Sequence, residues 1–213
     1  MRRRLMAFEK SGGGLPEGYT AVNYLQSSGT QWINTEYILQ SSDTVELKAE
    51  YVKRGSLNYS TVYLCGSDRR FGDDFSISED TEGDISGHGI RDVFGHLITR
   101  SRVIPKVGTE FVVVSSIRLL RVVIGETITE IPKGAHTYTP VNFPVYLFTT
   151  NRNKTAFGAA FIGKIYYAKI TNGQGEMTLN CIPCLDADGV PCLYDLISKK
   201  ALYNIGTGSF TWG

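Results

Sequence analysis

Glu46 and Glu50, in the segment Glu46-Leu47-Lys48-Ala49-Glu50, come closest in this sequence to the acid pair of a glycan-cleaving enzyme. Retaining glycosidases need two carboxyl groups about 5–5.5 Å apart, one as nucleophile and one as general acid. The alternation of polar and apolar residues predicts a strand, in which positions four apart are separated by about 13 Å. Lys48 occupies the position between them where a carboxylate would be needed. We therefore assign no catalytic residue and expect that the protein is not an enzyme.

A larger set of carboxylates lies in the glycine-containing segment from Gly66 to Gly95. Its members are Asp68, Asp73, Asp74, Glu79, Asp80, Glu82 and Asp84. Calcium favours several oxygen ligands supplied by flexible loops, but arginines are interleaved here and no Asp-x-Asp-x-Asp-Gly loop is present. We interpret the segment as a solvated variable loop and assign no metal ligand or cofactor. Calcium binding remains the alternative.

The cysteines and histidines offer few routes to nucleophilic or metal chemistry. The cysteines are Cys65, Cys181, Cys184 and Cys192, and the histidines are His88, His96 and His136. Cys181-x-x-Cys184 is typical of zinc or redox sites, but it falls in a predicted strand, where positions three apart face opposite sides. No second Cys-x-x-Cys pair exists, and no histidine lies in a catalytic motif. We expect buried, reduced thiols and leave the roles of Cys181 and Cys192 open.

Aromatic side chains are the remaining candidates for chemistry, since sugars pack against exposed aromatic rings. The candidates are Trp32, Tyr37, Tyr59, Tyr63, Tyr138, Tyr166 and Tyr167. Neighbouring residues of a strand point to opposite faces, so we expect one of Tyr166 and Tyr167 in the core and the other accessible. Sequence alone assigns no ligand-binding residue among them.

The elements that must position these residues are β-strands. Residues 43–51 alternate cleanly and place Val45, Leu47, Ala49 and Tyr51 on one buried face, with a solvated face opposite. Further strands are predicted at residues 60–64, 110–115, 118–124, 127–131, 145–149, 162–170, 177–184, 191–196 and 209–212. Glycine-bearing turns separate them, and three are predicted as hairpin turns, at residues 124–127, 172–175 and 186–189. This spacing is typical of a two-sheet antiparallel sandwich.

Composition describes an ordinary globular chain with no general affinity for polyanions. The 213 residues are 42% hydrophobic and 20% charged, with a formal net charge of +1. We therefore expect no nucleic-acid partner, and no apolar run is long enough to insert into a membrane. Residues 1–10 begin like a signal peptide but lack its apolar stretch. We expect a protein that is made in the cytoplasm and either stays there or leaves it by assembly and lysis rather than by secretion.

The first 14 residues form a candidate N-terminal arm ahead of the domain. The arm joins basic and apolar residues to a run of three glycines, which acts as a flexible joint. Its candidate anchor residues are Arg2, Arg3, Arg4, Leu5, Met6 and Phe8. We predict that the arm orders when it docks onto a neighbouring subunit or virion surface, and the alternative is a disordered tail.

Two blocks at opposite ends of the chain resemble a known domain family. Residues 15–35 read Leu-Pro-Glu-Gly-Tyr-Thr-Ala-Val-Asn-Tyr-Leu-Gln-Ser-Ser-Gly-Thr-Gln-Trp-Ile-Asn-Thr, and the C-terminal block contains Ile182-Pro183-Cys184, Leu193-Tyr194-Asp195-Leu196 and Gly206-Thr207-Gly208-Ser209-Phe210. They resemble the ends of concanavalin A-like (laminin G-like) jelly-roll domains of tailed-phage and prophage structural proteins and gut-bacterial surface proteins. The resemblance spans residues 15–213 and implies two curved sheets whose terminal strands pair.

The same resemblance, together with the missing acid pair, favours a function without catalysis. We expect a virion structural or adhesion module, held by its N-terminal arm, that displays the sandwich toward host-cell or mucus glycans. The implied partners are other virion proteins and further copies of the chain. The alternative is a bacterial lectin-like carbohydrate-binding domain with no role in assembly.

Overall fold

The computed structural model describes residues 14–53, 61–68, 74–80, 89–95, 97–157 and 159–213. Every regular element within these ranges is a β-strand, so the described chain contains no helix that could cross a membrane. Six candidate anchor residues of the N-terminal arm fall outside them: Arg2, Arg3, Arg4, Leu5, Met6 and Phe8. Tyr59, His88 and His96 also lie outside the described residues.

The strands, in chain order, are β1 (Thr20–Ala21), β2 (Leu25–Ser27), β3 (Ile33–Asn34), β4 (Thr44–Tyr51), β5 (Thr61–Asp68), β6 (Asp74–Asp80), β7 (Gly89–Gly95), β8 (Leu97–Arg100), β9 (Glu110–Ser116), β10 (Leu119–Ile124), β11 (Thr127–Pro132), β12 (Tyr146–Leu147), β13 (Thr150–Arg152), β14 (Thr155–Phe157), β15 (Ala159–Ala160), β16 (Gly163–Thr171), β17 (Met177–Leu185), β18 (Pro191–Asp195), β19 (Lys200–Tyr203) and β20 (Thr211–Trp212). The large sheet has the order β11-β10-β9-β4-β16-β17-β18-β19, with β1, β2 and β20 beside this path. The small sheet has the order β14-β13-β5-β6-β7-β8, joined by β3, β12 and β15.

The two sheets pack face to face around one hydrophobic core, which confirms the predicted all-β sandwich. Leu47 and Phe111 from the large sheet share this core with Leu64, Phe75 and Phe94 from the small sheet. Pairing is antiparallel except where β5 meets β13 and β15, which run parallel to it. We call the side of the large sheet that faces away from this core its outer face.

The patterns read from the sequence are confirmed in the best-defined strands. Val45, Leu47, Ala49 and Tyr51 of β4 are all buried in the core, as the alternation predicts. The β10–β11 hairpin pairs Ile124 with Thr127, so its loop is the two residues between them. Gly125 takes the first of these positions with φ 58°, the left-handed value for which glycine was predicted there.

The two ends of the chain meet in the large sheet, as the resemblance implies. β2 pairs with β20, with Leu25 opposite Trp212. The amide of Ile205 donates to the carbonyl of Trp32 over 2.9 Å, and the amide of Thr207 donates to the carbonyl of Thr30 over 2.9 Å. The N- and C-terminal blocks therefore form one continuous piece of structure.

The prediction of a solvated loop from Gly66 to Gly95 is wrong, because strands β6 and β7 lie within it. Phe75 and Ile77 of β6 point into the core, and the carboxylates Asp68 and Glu79 are 4% and 3% exposed. Between the acidic residues, the segment Phe75-Ser76-Ile77-Ser78 alternates apolar residues with serines, which is a strand pattern. Burying a carboxylate requires a partner, and Asp68 has one because the Arg152 Nε donates to its Oδ2 over 2.6 Å.

Candidate functional site

A cleft of about 740 Å³ opens on the outer face of the large sheet. Its lining combines apolar residues with two tyrosines and a few polar groups: Leu15, Ala21, Val22, Asn23, Lys48, Glu110, Tyr166, Tyr167, Ile182 and Pro183. These residues come from the N-terminal block, from the central strands β4, β9 and β16, and from β17. The cleft therefore depends on contacts between distant parts of the chain.

A β-bulge in β16 places both tyrosines in this cleft. Ile165 lies opposite Ala49 of β4, and Tyr167, two residues later, lies opposite the next residue, Lys48. Tyr166 is thus an extra residue with no counterpart on β4, and such an insertion resets the alternation of side chains. Tyr166 and Tyr167 both line the cleft, so the prediction that one of them is in the core is wrong.

The bulge coincides with a change of pairing partner along β16. Residues 163–165 pair with β2, whereas pairing with β17 begins at Ala168. Tyr166 and Tyr167 lie between these two pairings, beside the chain that connects β1 to β2. The amide of Val22 donates to the carbonyl of Pro183 over 3.1 Å and fixes that connection against β17. This backbone hydrogen bond links the N-terminal side of the cleft to β17.

Glu50 anchors one side of the site beneath Tyr166. The Tyr166 hydroxyl donates to Glu50 Oε2 over 2.6 Å, and Lys164 Nζ donates to Oε1 over 2.9 Å. Burial by itself raises the pKa of Glu50, but these two donors outweigh it and hold the pKa below its usual value. Tyr24 packs edge-on against the Tyr166 ring at 5.7 Å. Glu50 is 9% exposed, so this part of the surface is less solvated than the sequence predicts.

Tyr167 is held in a similar way on the other side. Its hydroxyl donates to Glu46 Oε1 over 2.7 Å, and Lys169 Nζ lies 4.5 Å from its ring centroid. Burial and the bond to Glu46 raise its pKa, so the hydroxyl stays protonated. Both Glu46 and Glu50 therefore accept tyrosine hydroxyls, an arrangement that fixes the orientation of the two rings.

A salt bridge lies at the polar end of the cleft. Lys48 Nζ is 2.6 Å from Glu110 Oε2 and also lies 4.7 Å from the Tyr166 ring centroid. Both charged groups line the cleft and are partly exposed, so they can exchange hydrogen bonds with a ligand. The sequence shows both residues, but their proximity depends on the pairing of β4 with β9.

The other predicted candidates lie away from the cleft. Tyr138 is buried at 4% exposure, Trp32 packs against the core, and the Tyr37 hydroxyl donates to Asp43 Oδ2 over 2.9 Å. Tyr63 lies on β5, in the other sheet. His136 Nδ1 is 2.8 Å from the carbonyl of Gly134, in a bond within its own turn.

Neither the cysteines nor the acidic segment forms a metal centre in the part of the chain that the structure describes. Cys181 lies in the main core and Cys184 in a second cluster on the outer face, which confirms that the two face opposite sides of β17. All four cysteines are buried, as predicted. Among the described residues no three carboxylates, thiols or imidazoles come together as metal ligands. Asp73, Glu82 and Asp84 of the acidic segment lie outside those residues.

Comparison with known proteins adds similarity at the level of structure alone. No known family matches the sequence, and no curated protein matches it. A structure of NanB with Optactamide aligns over 71% of this chain and 25% of its own, at 17% identity and TM-score 0.47. A crystal structure of the NanB sialidase from Streptococcus pneumoniae aligns over 90% of this chain and 39% of its own, at 13% identity and TM-score 0.46.

This chain thus spans well under half the length of either sialidase structure. Similarity of this size carries no information on activity. The sandwich assignment stands on the strand pairing described above.

Proposed function

We propose that this protein is a non-enzymatic adhesion module that binds glycans in the cleft on the outer face of its large sheet. The observation that carries the proposal is the β16 bulge, which places Tyr166 and Tyr167 side by side in the cleft wall. Aromatic rings supply the apolar surface on which a sugar ring packs. Lys48, Glu110 and Asn23 supply charged and amide groups for sugar hydroxyls. Pockets that combine an apolar wall with a few placed polar groups are typical ligand sites.

The state of Glu50 supports binding rather than cleavage. A glycosidase general acid needs a raised pKa so that it holds a proton near neutral pH. The pKa of Glu50 is lowered by Tyr166 and Lys164, so this carboxyl is ionised and already satisfied by two donors. Glu46 is likewise engaged by Tyr167. In this proposal both carboxylates orient the tyrosines and neither takes part in catalysis.

We further propose that the module is displayed on a phage or prophage virion through its N-terminal arm. The support is the resemblance of its terminal blocks to concanavalin A-like virion domains, together with the basic and apolar character of the arm. Many copies on one particle would convert weak binding of single glycans into firm attachment. A lectin-like domain without an assembly role is the alternative.

The binding proposal is tested with a glycan array, followed by titration of the best ligand with Tyr167→Ala. We expect at least about 5-fold weaker binding, because truncating a central aromatic contact typically costs more than about 1 kcal/mol. Tyr203→Ala is the matched control, since Tyr203 is a 40% exposed tyrosine of β19 that does not line the cleft. Equal binding by wild type and Tyr167→Ala, or no glycan bound by the wild type, would reject the proposal.

The assembly proposal is tested by light scattering of the full chain beside a truncated protein that starts at Leu15. We expect an oligomer that requires residues 1–14. A monomer in both cases would contradict self-assembly through the arm and favour the lectin-like alternative.

A further inference from the structure

Two thiols lie directly opposite each other at the edge of the cleft wall. Cys184 of β17 pairs with Cys192 of β18, and their Sγ atoms are 3.4 Å apart. Both side chains are fully buried. A disulfide needs an S–S distance of about 2.05 Å, so the two sulfurs need to approach by little more than an ångström.

The backbone at this pair also permits a bond. Asp186 donates its amide to the carbonyl of Val190, its opposite residue, over 3.0 Å. In an antiparallel ladder, hydrogen-bonded pairs recur at every second position, so Cys184 and Cys192 form another such pair. The Cα atoms of such pairs are about 5.5 Å apart, inside the range of about 4.4–6.8 Å found across disulfides. Their Cβ atoms are wider apart than a relaxed disulfide prefers, so the bond would carry strain and be readily reduced.

Few residues separate the two thiols from solvent on the outer face, and we call these residues the cover. Cys184, Cys192 and Tyr194 form a small cluster on the outer face, packed against Leu15 and Tyr19. This cover is attached to β17 through β1, a pair of exposed residues in which Ala21 lies opposite Cys184. Elements with so few backbone bonds open locally at little cost, which gives a reagent access to the sulfurs.

We propose that Cys184 and Cys192 are a reversible thiol–disulfide site, oxidised by a low-molecular-weight disulfide such as oxidised glutathione. The Cys184 thiolate attacks one sulfur of glutathione disulfide, and the S–S bond breaks to release one glutathione thiolate. The Cys192 thiolate then attacks the Cys184 sulfur of the mixed disulfide and expels the second glutathione. The two protein thiols lose two electrons and two protons, and one glutathione disulfide becomes two glutathione thiols.

The hydrogen bond between the thiols, in which either sulfur can donate, favours Cys184 as the first nucleophile when Cys192 is the donor. Donation from Cys192 lowers the pKa of the Cys184 thiol, although burial acts in the opposite direction. Cys184 therefore ionises first. Cys184 also adjoins the cleft, because Ala21, which lies opposite it on β1, and Pro183, which precedes it, both line the cleft. A disulfide from Cys184 to Cys192 would therefore link this side of the cleft covalently to β18. The inference rests on this geometry alone and does not depend on glycan binding.

The test treats the folded full chain with excess oxidised glutathione, alkylates it in denaturant and measures its mass and peptide map. We expect loss of two hydrogens, two alkylated cysteines in place of four, and a linked peptide joining Cys184 to Cys192. A Tm increase of about 2–8 °C should disappear on addition of dithiothreitol, since closing a short loop stabilises a chain of this size modestly.

Two variants serve as controls. Cys192→Ser should stop at a single glutathione adduct, and Cys65→Ser should still form the bond. Four alkylated cysteines after treatment of the wild type, a bond to Cys65 or Cys181, or a covalent dimer would each overturn the proposal.

Discussion

Deletion of Tyr166 is the sharpest test of how the cleft is built. Because Tyr166 has no counterpart on β4, its removal leaves Ile165 opposite Ala49 and Tyr167 opposite Lys48, as they are now. The shortened strand would alternate regularly, with its inward residues unchanged. We therefore expect a folded protein whose cleft has lost one of its two tyrosine rings.

The cost of this deletion can be worked from the contacts that Tyr166 makes. Its hydrogen bond to the Glu50 carboxylate is worth about 1.5–3 kcal/mol, and its edge contact with Tyr24 about 0.5–1.5 kcal/mol. Together these give a loss of roughly 2–4.5 kcal/mol. For a chain of this size, about 2–4 °C of Tm accompanies each kcal/mol, so thermal unfolding followed by circular dichroism should show a Tm lower by about 4–18 °C.

Deletion of Lys48 is the matched control, because Lys48 also lies on the outer face but has an opposite residue on both neighbouring strands. Its removal turns either Val45 and Leu47 or Ala49 and Tyr51 away from the core. Exposing a buried valine or leucine costs about 1.5–3 kcal/mol each, and burying their polar neighbours adds to this, against a total stability of about 5–15 kcal/mol. We expect no folded protein. If deletion of Tyr166 is as damaging as deletion of Lys48, Tyr166 is not an inserted residue and the reasoning fails.

Two further predictions concern acid stability and the C-terminal block. Because the pKa of Glu50 is lowered, the stability that its carboxylate contributes is present above pH 4.5 and is lost as the pH falls through the lowered pKa. The Tm difference between wild type and Glu50→Gln should therefore be largest near neutral pH and shrink below pH 4.5. A difference that grows on acidification would contradict the assignment. Gly206→Ala should lower Tm strongly, because a Cβ there would lie 2.1 Å from the carbonyl oxygen of Thr30 and 2.7 Å from the Trp32 ring. The control Gly134→Ala should leave Tm nearly unchanged, because a Cβ at that position would have nothing within 4 Å. Equal effects of the two substitutions in a thermal melt would show that the close packing of Gly206 against Thr30 and Trp32 does not matter.

Much of the sandwich could be predicted from local patterns. The alternation in β4, the glycine of the β10–β11 turn and the opposite facing of Cys181 and Cys184 follow from a two-residue period and from backbone sterics. These properties belong to a few neighbouring residues. The prediction for the acidic segment fails because it depends on a distant contact: Asp68 is buried beside Arg152, which is far away in the sequence.

The cleft could not be predicted from the sequence, because a bulge depends on how two strands pair. The alternation rule sends Tyr166 and Tyr167 to opposite faces, and only the pairing of β16 with β4 shows that one of them is inserted. The same holds for the salt bridge from Lys48 to Glu110 and for the approach of Cys192 to Cys184.

The sequence by itself determined the fold class, the turns and the inward-facing residues of the regular strands, since each follows from local periodicity and steric preference. Only the tertiary structure decided which side chains form the cleft, because register between distant strands is set by the packing of the whole core. A shift of one residue in that register moves a side chain to the opposite face of the sheet. Tyr166 and Tyr167 therefore lie on the same face of the sheet, although alternation within a single strand predicts opposite faces.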